Sequence, residues 1–178
     1  MKKAILQDIK KLRDFAKSLG VRVIIRRKTS DDAGTYDYDS KLVTINIQKK
    51  WSQKDIVKAL IHEVAHAHGD KLFGRDHVFK KAFKHAGEDC RTMPAETRRA
   101  IYQLEKRDIE RMHSIWKMLD LKSVSEKEVI DDALFDLTVY EYYADASRHL
   151  SKRRRSQLKR AIREGKRLQL VRILYKKM

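Results

Sequence analysis

A single cysteine, a single proline and six glycines are spread over 178 residues. One thiol, Cys90, closes no disulfide within the chain, so a reducing cytoplasm is the expected setting. So few prolines and glycines leave little room for low-complexity linkers or for an all-β fold rich in tight turns. No run approaches the ~18 apolar residues of a membrane span, and no membrane-spanning helix is expected. The first fifteen residues are basic, but Gln7 and Asp8 interrupt any apolar core, so they do not read as a secretory leader.

Charge is what the chain has in excess. Lys and Arg number 42 against 25 Asp and Glu, a formal net charge of +17. From Arg148 to Met178 there are 13 basic residues and one acid, Glu164, so this stretch carries +12 and the rest of the chain only +5. Lys152, Arg153, Arg154 and Arg155 form one cluster, and Lys159, Arg160 and Arg163 a second. A basic helix of this kind is the electrostatic footprint of a polyanion binder, acting through phosphate contacts and counterion release. DNA or RNA is the expected partner; a solubilising tail and a helix packed on an acidic protein are the other readings.

Periodicity organises the remainder. Residues 3–19 read as a helix with Ile5, Ile9, Leu12, Phe15 and Ala16 on one face and Gly20 as its stop. Val21–Ile25 is a β-branched run, residues 29–41 read as a connection, and Leu42–Ile47 alternates as a strand. Antiparallel pairing of the two strands is expected. Ser52 with Asp55 signals the start of a helix over 53–68, with Gly69 as its stop. Further helices are expected at 76–86, 96–120, from the Ser125/Glu128 box to about Leu150, and from Ser151 onward. The fold class is α+β: a small core (1–90), a helical part completing the site (91–150) and a basic C-terminal helix (151–178).

The chemistry centres on Ile61-His62-Glu63-Val64-Ala65-His66-Ala67-His68-Gly69. Two histidines four apart share one helical face, so both imidazoles reach a single Zn²⁺ at about 2.0–2.1 Å. Glu63 sits beside them, placed to act on water rather than to bind the ion. A third protein ligand is then required. His68 points roughly opposite, and nothing supports Cys90. Two candidates stay open: His77, in Gly74-Arg75-Asp76-His77, and Glu141, in Tyr140-Glu141-Tyr142-Tyr143-Ala144-Asp145. With Ile130 at zero and about 100° per residue, Glu141 falls within the apolar stripe of Leu134, Leu137 and Ala144. A carboxylate facing a core needs a compensating charge, which an ion supplies, and Asp145 one turn on could orient a ligating imidazole.

With these residues in view, the chain resembles the zincin metallopeptidases of the minimal cytoplasmic kind. Ala33-Gly34-Thr35-Tyr36-Asp37, Val43-Thr44-Ile45-Asn46 and the HExxH helix are similar to the core shared by the SprT-like, ImmA/IrrE-like and HtpX-like groups. Glu141-Tyr142-Tyr143-Ala144-Asp145 fits the Glu-x-x-Ala-Asp helix of the HtpX-like and ImmA-like groups, implying Glu141 as third ligand. Gly74-Arg75-Asp76-His77-Val78-Phe79 matches the SprT-like histidine segment only loosely. The resemblance implies zinc-dependent hydrolysis of a protein or peptide, Glu63 as general base, and Leu42–Ile47 as an edge strand that holds extended substrate. The alternative is a nucleic-acid-binding or phage or virion assembly protein whose zincin-like metal site does no catalysis.

Overall fold

The computed structural model describes residues 2–27, 33–49, 51–74, 76, 78, 80, 94–131, 133, 134 and 137. The first helix, α1 (Lys2–Ser18), turns Ile5, Leu12 and Ala16 inward, as its spacing predicts. It ends in a Schellman motif: Gly20, at φ 80°, donates to Lys17 O at 2.9 Å, and Val21 donates to Ala16 O at 2.9 Å. Asp8 is buried on the same face as the apolar residues. Its Oδ2 accepts from Lys122 N at 2.9 Å, Ser123 N at 2.7 Å and Ser123 Oγ at 2.6 Å, which satisfies the charge and pins α1 to a turn far along the chain. One turn on, Lys11 Nζ donates to the carbonyls of Leu119 and Asp120, each at 2.8 Å.

Three strands form one mixed sheet: β1 (Arg22–Arg27), β2 (Gly34–Asp37) and β3 (Leu42–Ile47), in the order β1-β3-β2. The fold is α+β, as composition and periodicity lead one to expect. Two expectations are corrected. Residues 29–41 are not simply a connection, because Gly34–Asp37 is a strand. The β1–β3 pairing is parallel, with Val23 opposite Val43 and Ile25 opposite Ile45. The antiparallel partner of β3 is β2, placing Tyr36 opposite Val43. The reason is local: Asp37 Oδ1 accepts from the Asp39 and Ser40 amides at 2.9 and 3.0 Å, a turn that folds β2 straight back onto β3. β1 then pairs along the other side of β3. As the central strand, β3 is buried on both faces, including Thr44 and Asn46, which alternation alone assigns to a polar face.

Helix α2 (Gln53–Phe73) starts at the predicted capping box: Ser52 N donates to Asp55 Oδ2 at 2.8 Å and Asp55 N donates to Ser52 Oγ at 3.3 Å. It packs on α1, β2 and β3, burying Val57, Leu60, Ile61, Val64, Ala65 and Ala67. Gly69 does not stop it. The helix runs on to Phe73 and is capped by Gly74, whose φ is 60° and whose amide donates to Asp70 O at 2.9 Å. Helix α3 (Ala95–Met118) is continuous through its length. Residues 126–131 are again helical, opened by the predicted box in which Ser125 N donates to Glu128 Oε2 at 2.8 Å.

The chain divides into two compact units, one formed by Met1–Gly74 with Arg107–Ile130, the other by Arg75–Lys106 with Asp131–Met178. Among the described residues, the second unit contains a small apolar cluster of Val78 and Ala100 with Ile101 and Leu104. No helix among the described residues is long and apolar enough to cross a membrane.

Candidate metal centre

The middle of α2 carries the site. Leu60, Ile61, Val64 and Ala65 are fully buried and hold this stretch of helix in place. His62 and His66, one turn apart, emerge on the same side. Their Nε2 atoms lie 3.1 Å apart, with ring centroids at 4.7 Å and planes at 85°. Two bonds of 2.0–2.1 Å in tetrahedral geometry span about 3.3 Å between donors, so these nitrogens are spaced to meet on one ion. On α3, Glu105 adds a carboxylate: one ligand atom from each of His62, His66 and Glu105 lies within 4.8 Å of the others. The three could hold a metal ion.

Behind His66 stands Asp108, three residues after Glu105 on the same unbroken helix. Its side chain is 0% exposed, and its Oδ2 lies 2.7 Å from His66 Nδ1. The other oxygen, Oδ1, pairs with Arg111 Nη1. The contact has ion-pair distance but not the angle of a formed hydrogen bond; a small rotation of the ring would bring an Nδ1 proton onto Oδ2 and leave the lone pair on Nε2, the atom turned toward His62. Burial acts to raise the pKa of Asp108, but the adjacent His66 and Arg111 outweigh it and hold the carboxyl below its ordinary range.

His62 is driven the other way. Burial, and then repulsion from His66, push its pKa down to about 3 against a smaller opposing pull from Asp108. It stays neutral and able to ligate throughout the physiological range. The linkage has a definite sign. Below pH 6.5 the unfolded chain binds a proton at His62 that the folded chain refuses, so the metal-free protein loses stability as the pH falls from 6.5 toward 3. Chemical denaturation of wild type and His62→Gln across that window checks it, with a flatter pH dependence expected for the variant.

Glu63 is 7% exposed and does not belong to the His62–His66–Glu105 group. It lies against β2: a methyl group on Gly34 would come within 2.8 Å of both Glu63 Cγ and Oε1. Glycine at that position is what lets the strand approach the carboxylate. The strand beside Glu63 is thus β2, an edge of the sheet, whereas Leu42–Ile47 is its centre; the expectation that Leu42–Ile47 forms the substrate-holding edge is corrected.

No family model, curated protein or solved structure matches the chain. The site is therefore read from its own geometry. His62 and His66 come together as their spacing predicts, whereas Glu63 lies beside Gly34 of β2. His68 takes no part, its ring standing edge-on to Phe15 at 5.5 Å. Glu141, Asp145, His77 and Cys90 lie outside the described residues, as do Lys152, Arg153, Arg154, Arg155, Lys159, Arg160 and Arg163. Sequence reasoning missed Glu105 and Asp108, although a signal exists. With Met112 at zero and about 100° per residue, Ile101 falls near −20°, Glu105 near 20°, Asp108 near −40° and Ile115 near −60°. Two carboxylates sit within the apolar stripe of α3, the same anomaly that singles out Glu141 in the sequence pattern.

Proposed function

We propose that the chain is a zinc-dependent metallopeptidase whose basic C-terminal segment, with Lys152–Arg155, Lys159, Arg160 and Arg163, holds it to DNA or RNA. One observation carries the peptidase reading. Two imidazole Nε2 atoms lie 3.1 Å apart, one ring has a buried carboxylate 2.7 Å behind it, and Glu63, next to His62 in the chain, is not part of the ligand group. Two nitrogens and a carboxylate oxygen form the donor set of a three-ligand zinc site with an open position. Zinc held by His62, His66 and Glu105 would supply Lewis acidity to the scissile carbonyl and to water.

The chain's own groups do the rest. Asp108 keeps His66 in one tautomer. Glu63 accepts the proton of the attacking water and returns it to the leaving amine. The outer edge of β2 offers main-chain donors and acceptors beside Glu63, where an extended peptide can add as a further strand. The alternative, a nucleic-acid-binding or assembly protein with a non-catalytic site, shares the metal but not the turnover.

The metal comes first as a test. Zinc titration of the metal-free protein is expected to give one ion per chain, and His66→Ala to abolish it. Uptake unchanged in His66→Ala would remove the site and the peptidase with it.

A further inference from the structure

Gly69 sits inside α2, where glycine is about 1 kcal/mol less favourable than alanine. The space it leaves is taken by Arg111: a methyl on Gly69 would lie 2.5 Å from Arg111 Nη1 and 2.7 Å from Cζ. The guanidinium is also 5.1 Å from the centroid of the Phe73 ring and is paired through Nη1 with Asp108 Oδ1. Its side chain is 12% exposed although it bears a full charge. Glycine on one side, an aromatic ring and a carboxylate thus fix one cation behind the histidine.

We propose that Arg111 is a positioning residue of the metal centre: from the space left by Gly69 it engages Asp108 Oδ1, so that Oδ2 faces His66 Nδ1 and His66 Nε2 is presented to the ion. This rests on the metal-site reading above. A carboxylate with one partner can rotate and offer either oxygen. One whose first oxygen is held by a planar, preorganised guanidinium offers only the second. The imidazole then keeps its proton on Nδ1 and its ring plane fixed, and ligand basicity and metal affinity follow from that orientation.

The test uses the full chain with Arg111→Met, Arg111→Lys and Gly69→Ala. Long-range ¹H–¹⁵N spectra of the metal-free protein read the His66 tautomer, competition with a chromophoric chelator reads zinc affinity, and thermal melting reads stability. Arg111→Met is expected to lose the single Nδ1–H tautomer and to bind zinc about 10- to 100-fold more weakly. Gly69→Ala keeps every charge but displaces the guanidinium, and should move both readouts the same way. Arg111→Lys should recover part of the loss. A His66 tautomer and zinc affinity unchanged in Arg111→Met and Gly69→Ala, whatever the melting temperature, overturn the proposal. Should Arg111→Met fail to fold, Gly69→Ala and Arg111→Lys decide it. Wild type taking up no zinc would bring down the metal-site reading alone, and the tautomer would still report whether Arg111 positions His66.

Discussion

Zinc-loaded Glu63→Gln is expected to cleave peptides about 10²- to 10⁴-fold more slowly than wild type while retaining one zinc per chain. The substitution is close to isosteric, so the amide fits the narrow space beside Gly34 where the carboxylate lies. What disappears is the proton acceptor. Glu63 stands apart from the group of His62, His66 and Glu105, so the metal should be kept. A panel of quenched-fluorescence peptides gives the rate, and metal analysis of the same samples gives the occupancy. Undiminished cleavage would end the peptidase reading. A wild-type protein that holds zinc yet cleaves nothing would favour the non-catalytic alternative. Loss of zinc in the variant would make Glu63 a ligand instead of a base.

The second large effect concerns the third ligand. Glu105→Gln should weaken zinc binding by more than the roughly 10- to 100-fold that follows from losing a supporting residue behind a ligand. An anionic oxygen facing a doubly charged ion is replaced by a neutral amide, in surroundings that screen charge less well than water. Glu141→Gln, measured beside it, tests the carboxylate that the zincin resemblance implies as third ligand. The reverse pattern, with Glu141→Gln crippled and Glu105→Gln intact, would return the ligand to the Glu-x-x-Ala-Asp helix that the zincin resemblance implies. Competition titration with a chelating dye resolves the two.

Signals carried by residues a few positions apart are legible in the chain, and those that depend on distant residues are not. The Ser52/Asp55 and Ser125/Glu128 boxes, the end of α1 at Gly20, the bounds of β3 and the juxtaposition of His62 with His66 each depend on residues a few positions apart. Strand β2 escapes because Gly34-Thr35-Tyr36-Asp37 is four residues long, opens on glycine and has one β-branched residue. The parallel pairing of β1 escapes because strand order is decided by the intervening hairpin. Gly69 reads as a stop until Arg111, forty-two positions later, is known to fill its space. Glu105 and Asp108 were legible in principle: two acids interrupt the apolar stripe of α3, and the reasoning that singles out Glu141 reaches them when applied one helix earlier.

The buried carboxylate of Asp8 has a consequence for how the protein is made. Its donors at Lys122 and Ser123 lie 114 and 115 positions downstream. At a translation rate of about 5–20 residues per second, the ribosome needs roughly 6 to 23 s after placing Asp8 before either donor exists. Until then the Asp8 carboxylate has none of its native donors from Lys122 and Ser123, so the native contact between the first helix and that segment forms only after the residues following α3 have been made.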